Sequence, residues 1–447
     1  MPFGTALRWT ALLVIALVGL TGVQQWVNGS GLAGVAADKA QATPRGWAPQ
    51  TYADTLQALD REVIRGEARL VANAGSWAAH EALASALHAR GQLTGSHEDL
   101  AAAFDQAETA RRFAPDRGGP VLARAVIALS LHRNAIAAEE VARIPGYAFP
   151  APVGDVAEAE AILGDVALYR GDYPQSLAHY RRSAELQPGL GSSVRLADWH
   201  RHHGDFAAAR RLLDDAIDAP EATPWARAAL LLQRGAIDLQ TGDWDAAEAL
   251  IARADTVFPG WWLARAHLGQ MAAVRGDYAG AEQLYRTAME GAERPSVMDA
   301  LAAVLAAQGQ HSAADAIAQR AGELWKARAV SHPAAYADHA FEAFLAEGDT
   351  AGAFRLAALN FRTRPYGDSR IGLARASAAQ GRDRPARAIL EQLDASGWRS
   401  AEQYRVLAEV CGRLDDTACV SRARRSALAI SARTFDPRAK LLFFSNH

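Results

Sequence analysis

A short pattern that begins with glycine recurs along this chain, and its spacing limits the fold more than any other feature. Four copies read Gly-Asp-aromatic, at Gly171, Gly204, Gly242 and Gly276, and further glycines continue the series at positions 309, 348, 381 and 412. Successive differences are 33, 38, 34, 33, 39, 33 and 31 residues. A period near 34 with apolar residues at helical spacing is typical of helix-turn-helix repeats. The sequence therefore predicts an all-α fold of stacked helix pairs.

Two other positions keep phase with these glycines and are mostly small. Seven residues before the glycine lie Gly164, Ala197, Gly235, Gly269, Ala302 and Ala374, while Phe341 and Arg405 depart from the pattern. Five residues after it lie Ser176, Ala209, Ala247, Ala281, Ala314, Ala353 and Ala386, and Thr417 departs. Small side chains let two helices approach closely, and glycine suits the left-handed residue that ends a helix. Each glycine is thus expected to turn one helix back onto the next.

The stretch 157–190 carries these positions most completely. It has Leu163-Gly164, Gly171, Tyr173, Ser176, Tyr180 and Pro188 at a spacing that resembles the tetratricopeptide repeat family. The resemblance extends over roughly residues 77 to 430. It implies a right-handed superhelical solenoid whose first helices line a concave groove for a protein or peptide partner.

The repeats divide the chain into segments, whose outer members are less regular than the middle. His132-Arg133-Asn134 takes the place of Gly-Asp in one early unit, and the long turn 92–100 predicts a bulging loop. In order, we expect a membrane anchor or signal sequence (1–28), a linker (29–49), a capping helix (50–76), divergent repeats (77–156), the regular array (157–397), a C-terminal capping repeat (398–430) and a tail (431–447).

The N-terminus carries an apolar run from Thr10 to Val23, preceded by Arg8 and followed by Trp26. With its flanks, at residues 9–27, the run approaches the length that spans a bilayer as a helix. Small-residue cleavage sites lie far beyond it, which favours a retained anchor over a cleaved signal peptide. Arg8 places the short tail in the cytoplasm, so the array is expected at a bacterial inner membrane, facing the periplasm. The opposite orientation would make the protein a cytoplasmic adaptor.

Neither composition nor motifs indicate catalysis. The net charge is −3, so nucleic acid is not an expected partner. No phosphate loop, nucleophile elbow or zinc-protease motif is present, and no cofactor or metal is expected. The alternative is an enzyme subunit or metal-binding protein that uses His200 and His203, three residues apart in the cluster WHRHHGD. Two histidines without a further ligand are a weak metal site, and histidines also suit a helix C-terminus.

Three further features have competing interpretations. Cys411 and Cys419 bracket the last turn and would form a disulfide in an oxidising compartment; otherwise they are small core residues. The adjacent tryptophans at 261 and 262 are interpreted as core filling rather than as a binding anchor. The apolar stretch 441–444 near the chain end is expected to pack onto the last repeat, with docking of a partner as the alternative.

The resemblance to the tetratricopeptide repeat family implies a candidate groove at matched positions on the first helices. They are Asp165, Tyr169, Asp198, Arg201, His202, Gln240 and Gln270. The next unit contributes only alanines, so a specific groove is expected between residues 165 and 270. The mixture of hydrogen-bonding groups suits an extended peptide. The sequence thus predicts a non-enzymatic, membrane-tethered scaffold that assembles a cell-envelope complex, for secretion, polysaccharide export or cofactor maturation.

Overall fold

The computed structural model describes residues 48–444, and within that range it contains helices and no β-strand, which confirms the all-α fold. Twenty-one α-helices follow one another in this part of the chain. They are α1 (Tyr52–Ala72), α2 (Trp77–Thr94), α3 (His97–Phe113), α4 (Val121–Ser130), α5 (Asn134–Val141), α6 (Val153–Tyr169), α7 (Tyr173–Leu186), α8 (Leu190–His202), α9 (Phe206–Asp218), α10 (Pro224–Thr241), α11 (Trp244–Val257), α12 (Trp262–Arg275), α13 (Tyr278–Ala288), α14 (Pro295–Ala307), α15 (His311–Ser331), α16 (Pro333–Ala346), α17 (Thr350–Thr363), α18 (Gly367–Ala379), α19 (Asp383–Ala395), α20 (Ala401–Arg413) and α21 (Thr417–Ile430). Short 3₁₀ helices cover Ile144–Gly146 and Pro437–Leu441.

Helices α2 to α21 form ten antiparallel pairs, numbered here units 1 to 10, so that unit 1 is α2–α3 and unit 10 is α20–α21. Most turns inside a unit share one pattern. Gly171, for example, has φ of +75°, and the next residue, Asp172, accepts a hydrogen bond from the backbone N–H of Gln175. The glycine therefore ends the first helix, while the aspartate caps the second. The recurrent Gly-Asp pair thus specifies both the end of the first helix and the cap of the second.

The small residues stand where helices touch. A Cβ added to Gly164 would lie 2.4 Å from the ring of Tyr180 on the partner helix, and one on Gly269 would lie 2.8 Å from Tyr285. The small residue five positions after each turn glycine is buried in every regular unit from Ser176 to Ala386. An aromatic ring of the second helix thus packs directly on the backbone of the first.

Two turns use a residue other than glycine. His132 (φ +53°) and Asp415 (φ +56°) adopt the left-handed conformation, whereas Gly412 lies inside α20. The landmark at Gly412 was therefore wrong by three residues, and the corrected interval from Gly381 to Asp415 is 34. Seven residues before Asp415 lies Ala408, which is buried, so the apparent departure at Arg405 disappears.

The bulging loop predicted for 92–100 is also wrong. Helix α2 continues to Thr94 and α3 begins at His97, so the turn contains only Gly95 and Ser96. Gly95 has φ of +73°, and Ser96 accepts a hydrogen bond from the backbone N–H of Asp99. Polar residues that resemble a loop in the sequence are here a cap and the first turn of a helix.

The solenoid winds back onto itself after about six units. The turn of unit 3 meets the segment that precedes unit 9, since a Cβ on Gly171 would lie 2.8 Å from the carbonyl oxygen of Pro365. The turn of unit 4 meets the segment before unit 10, where the N–H of Arg399 donates to the carbonyl of His202 at 2.8 Å. Successive superhelical turns are therefore in direct contact.

A cluster of aromatic side chains packs between the two superhelical turns at this contact. Trp398 is fully buried and stacks on His202, with ring centroids 3.8 Å apart, and it also packs on Tyr173 at 5.5 Å. Tyr169 and Tyr366 meet edge to face at 5.2 Å. Residues 196 to 225 positions apart in sequence thus share one core.

The tail does not pack onto the last repeat as expected. After α21, Arg433 donates to the carbonyl of Gly242 at 3.1 Å, and the 3₁₀ helix Pro437–Leu441 then packs on α12 and α14. Phe444 is buried, with its ring 5.4 Å from that of His267 and its N–H bonded to Gln270. The tail crosses from unit 10 into the interior of the first superhelical turn, where its apolar residues 441–444 are buried.

The N-terminal anchor and nearly all of the linker predicted from the sequence lie outside the described residues. Between residues 48 and 444, no helix is both long and apolar enough to cross a bilayer. At the other end, Cys411 and Cys419 form a disulfide that joins α20 to α21.

Candidate functional site

A large cavity of the described chain forms a recess between the two superhelical turns. It encloses about 1310 Å³, a volume that includes its open mouth. Units 4 and 5 form one wall, units 8 to 10 form the other, and the tail covers one side. Its lining includes Arg201, His202, Gln240, Asp338, Glu342, Asp368, Arg375, Arg399, Glu402, Arg405 and Arg433. These residues are referred to below as the recess.

Charged groups of both signs line the recess, and most are already paired. Arg375 pairs with Glu342, and Arg405 donates to Glu402 at 2.6 Å. Arg201, on α8, contacts Asp198 one helical turn earlier at 2.5 Å. Pairing limits the cost of holding charge in a partly desolvated space. The walls therefore present fixed cations and anions at defined positions.

Asp368 is the exception among these groups. It lies in the first turn of α18 and forms no hydrogen bond or ion pair with any residue between 48 and 444. Burial raises the pKa of its carboxyl group to about 7, although Arg201 acts in the opposite direction. A carboxyl group without a partner that faces a cavity is the best-placed group in the recess to receive a cation or a hydrogen-bond donor.

Asp368 should make stability depend on pH. Its folded pKa of about 7 lies above 3.8, the ordinary pKa of an aspartate, so the folded state binds the proton more tightly than the unfolded state. Its contribution to stability is present at low pH and declines as pH rises through about 7. We expect Asp368→Asn to stabilise the protein more at pH 8 than at pH 5, measured by urea denaturation. An increment that is the same at both pH values contradicts this.

The structure does not bring all seven groove residues predicted from the sequence to one surface. Arg201, His202 and Gln240 line the recess. Asp165 is buried between units, where it accepts from Tyr180 at 2.8 Å and pairs with Arg195. The other three residues have structural neighbours: Asp198 pairs with Arg201, Tyr169 packs between His132 and Tyr366, and Gln270 is covered by the tail.

This cavity extends beyond residues 165–270, the segment in which the sequence predicts the groove, because units 8 to 10 supply half of its lining. A sequence signal for two of those residues did exist. Glu342 and Arg375 lie six residues before Gly348 and Gly381, the same offset that separates Asp165 from Gly171. The contact between turns, which places the two sets opposite each other, has no counterpart in the repeat spacing.

The histidine cluster has ordinary structural contacts. His203 stacks on Trp199 at 3.7 Å and its Nδ1 contacts the Trp199 carbonyl at 2.7 Å, while His200 lies 3.4 Å from Asp205. In the described range, no group of three or more histidine, cysteine, aspartate or glutamate residues is placed to hold a metal ion. The geometry gives no support to the metal-binding alternative.

The fold is a tetratricopeptide-like solenoid. Comparison with known proteins gives no matching family model and no matching curated protein. Solved structures with a similar fold include a tetratricopeptide repeat protein from Parabacteroides merdae (15% identity, 58% of this chain and 99% of that one, TM-score 0.33). Yeast Tom70 is also similar (14% identity, 97% of this chain and 95% of that one, TM-score 0.38). So is a human IFIT1 dimer with PPP-AAAA (14% identity, 79% of this chain and 90% of that one, TM-score 0.38). At these identities the likeness concerns the fold alone.

Proposed function

We propose that the protein is a non-enzymatic scaffold that binds an extended segment of a partner protein in the recess. The observation that carries the proposal is the composition of the cavity walls. Five arginines and four carboxylates line a space between two superhelical turns, where they can form charge-assisted hydrogen bonds with a partner. The first helices supply most of these groups, and they face inward in a solenoid.

The walls indicate the chemistry of the partner. Arginine pairs bind backbone carbonyls or acidic side chains, while Asp368 suits a lysine, an arginine or a backbone N–H. Apolar contacts come from Phe341 and Ile371. The recess therefore fits a polar segment of mixed charge, held by hydrogen bonds along its backbone.

Two further parts of the proposal rest on the N-terminal sequence. The apolar run within residues 9–27 would tether the protein to a bacterial inner membrane, with the array in the periplasm. A tethered scaffold would there assemble an envelope complex, for secretion, polysaccharide export or cofactor maturation. The disulfide between Cys411 and Cys419 is compatible with an oxidising compartment.

Site-specific photo-crosslinking in the native host tests where the partner binds. A benzophenone amino acid at position 240 lies in the recess, and one at Arg253, exposed on the second helix of unit 5, is the matched control. We expect a discrete crosslinked product from position 240 only. Arg399→Glu, at the mouth of the recess, should lower its yield several-fold, whereas Arg253→Glu should not.

The opposite pattern would overturn the proposal. Crosslinks from position 253 alone would place the interface on the second helices, and no product from either position would contradict a protein-binding recess. Membrane fractionation and protease treatment of the same cells test the membrane tether. The protein should sediment with membranes, and it should be digested when protease is added to spheroplasts. A protected or soluble protein would refute the periplasmic assignment without affecting the recess.

A further inference from the structure

A second, smaller cavity lies in the interior of the solenoid and differs chemically from the recess. It encloses about 920 Å³ with its open mouth, and it lies between the first unit and units 6 to 8. Its walls include Gln92, Trp261, Trp262, Arg294, Ser296, Trp325, Arg328, Tyr336 and Phe444. It is called the aromatic pocket below.

The aromatic pocket contains cations and no carboxylate. Arg294 and Arg328 line it, whereas no aspartate or glutamate does. In the recess, by contrast, four carboxylates accompany the arginines. Arg328 lowers the pKa of Glu98 and of Glu293 through its charge, but these two acids lie outside the wall and form no ion pair with it.

Arg294 forms no ion pair with a carboxylate of the described chain; its guanidinium lies 4.7 Å from the centre of the Trp262 ring, and it interacts with the phenol of Tyr52. Its side chain is buried, and its terminal nitrogens donate to the carbonyls of Ala288 and Thr94 at 2.9 and 3.1 Å. Its Nε has no hydrogen-bond partner within residues 48–444. Burial lowers the pKa of Arg294, and the positive charge of Arg328 adds to this effect. A buried cation with neutral partners is electrostatically costly, and an anion would relieve the cost.

Arg328 is half-buried and also lacks a hydrogen bond or ion pair in the described chain. Its guanidinium carbon lies 5.7 Å from the ring centre of Trp325 and 5.8 Å from that of Tyr336. These aromatic contacts hold the side chain at the wall but leave its donors unused. Its five N–H groups match a carboxylate well.

The backbone adds to the positive potential. Helices α12, α14 and α16 all begin at this pocket, through Trp262, Pro295 and Ala335 in their first turns. Each helix N-terminus carries a partial positive charge. Three of them, together with two arginines, surround one space whose walls also include the rings of Trp261, Trp262, Trp325, Tyr336 and Phe444.

We propose that the aromatic pocket binds a small organic carboxylate with a flat apolar body, such as an arylalkanoic acid. The carboxylate would pair with Arg328 and lie near the Nε of Arg294, while the ring would contact Trp262, Trp325 and Tyr336. The aromatic pocket shares only His339 with the recess among the residues that line each cavity, and its test does not depend on the proposed scaffold function.

Calorimetric titration of the full-length protein with 3-phenylpropionate tests the site. The uncharged analogue 3-phenylpropanamide keeps the ring and removes the charge. We expect the acid to bind at least ten-fold more tightly than the amide, because the hydrogen bonds to arginine are charge-assisted. Arg328→Gln should abolish this preference, and Arg328→Lys should retain part of it.

The matched control is Arg320→Gln on the same helix, since Arg320 forms an exposed pair with Glu293 outside the pocket. It should leave the affinity for the acid unchanged. Circular dichroism verifies that each variant is folded. The proposal is overturned if the acid and the amide bind with equal affinity, or if Arg328→Gln leaves the affinity for the acid unchanged. It is also overturned if 3-phenylpropionate shows no binding at a concentration of roughly 10 mM, about ten-fold above a millimolar Kd.

Discussion

Replacing Trp398 by alanine is expected to lower the free energy of unfolding by about 3–5 kcal/mol, the usual cost of removing a buried tryptophan. Trp398 is fully buried in the core between the two superhelical turns, where His202 and Tyr173 cover it. Gly367 leaves room for it, because a Cβ there would lie 2.0 Å from the indole. No neighbouring side chain is placed to refill that volume without moving the helices.

The part of the structure that Trp398→Ala destabilises is more informative than the size of the change in free energy. Trp398 precedes unit 10 but packs on residues of units 3 and 4, so the alanine variant should expose amides in both regions to faster hydrogen exchange. Urea denaturation followed at 222 nm measures the free energy, and exchange mass spectrometry locates it. Phe149→Ala, at an exposed position, should change neither. A loss of protection confined to units 9 and 10 would mean that the superhelical turns do not stabilise each other.

The helix pairs could be predicted from the sequence because their signals are local. Gly171 and Asp172 specify the end of one helix and the cap of the next within two residues, and Gly164 lies close enough in sequence to Tyr180 for the period to report their contact. Even the errors at Gly412 and at 92–100 were local. Histidine and aspartate can take the left-handed turn, so glycine alone was an incomplete landmark.

The contact between superhelical turns could not be predicted in the same way. It depends on small rotations between neighbouring units that accumulate over about six units, and no residue spacing encodes that sum. Arg364 and Asp368 face residues near 169 and 201 only because of it. The tail was misassigned for the same reason, since its site on α12 and α14 is created by the winding. The sequence therefore predicted only one wall of the recess, through Arg201, His202 and Gln240.

The second large effect is expected at a buried charge. Arg364 is fully buried, donates to Asn360 at 2.7 Å and to Asp338 at 3.2 Å, and lies over the rings of Tyr169 and Tyr366. Arg364→Met should cost about 3–5 kcal/mol, because it leaves the carboxylate of Asp338 buried without its partner. Arg320→Met, which breaks an exposed ion pair, should lower the free energy of unfolding far less than Arg364→Met does.

A double mutant separates the pair from the packing around it. If the cost arises from an uncompensated charge, Arg364→Met/Asp338→Leu should recover most of the stability that Arg364→Met loses, since replacing both partners removes the orphaned carboxylate. If the double mutant is as unstable as the sum of the single mutants, the contacts of Arg364 with Tyr169 and Tyr366 carry the effect instead. Because Tyr169 belongs to unit 3 and Arg364 to the segment before unit 9, that outcome would make the guanidinium a direct link between the superhelical turns, and loss of Arg364 should then weaken partner binding in the recess even where the protein remains folded.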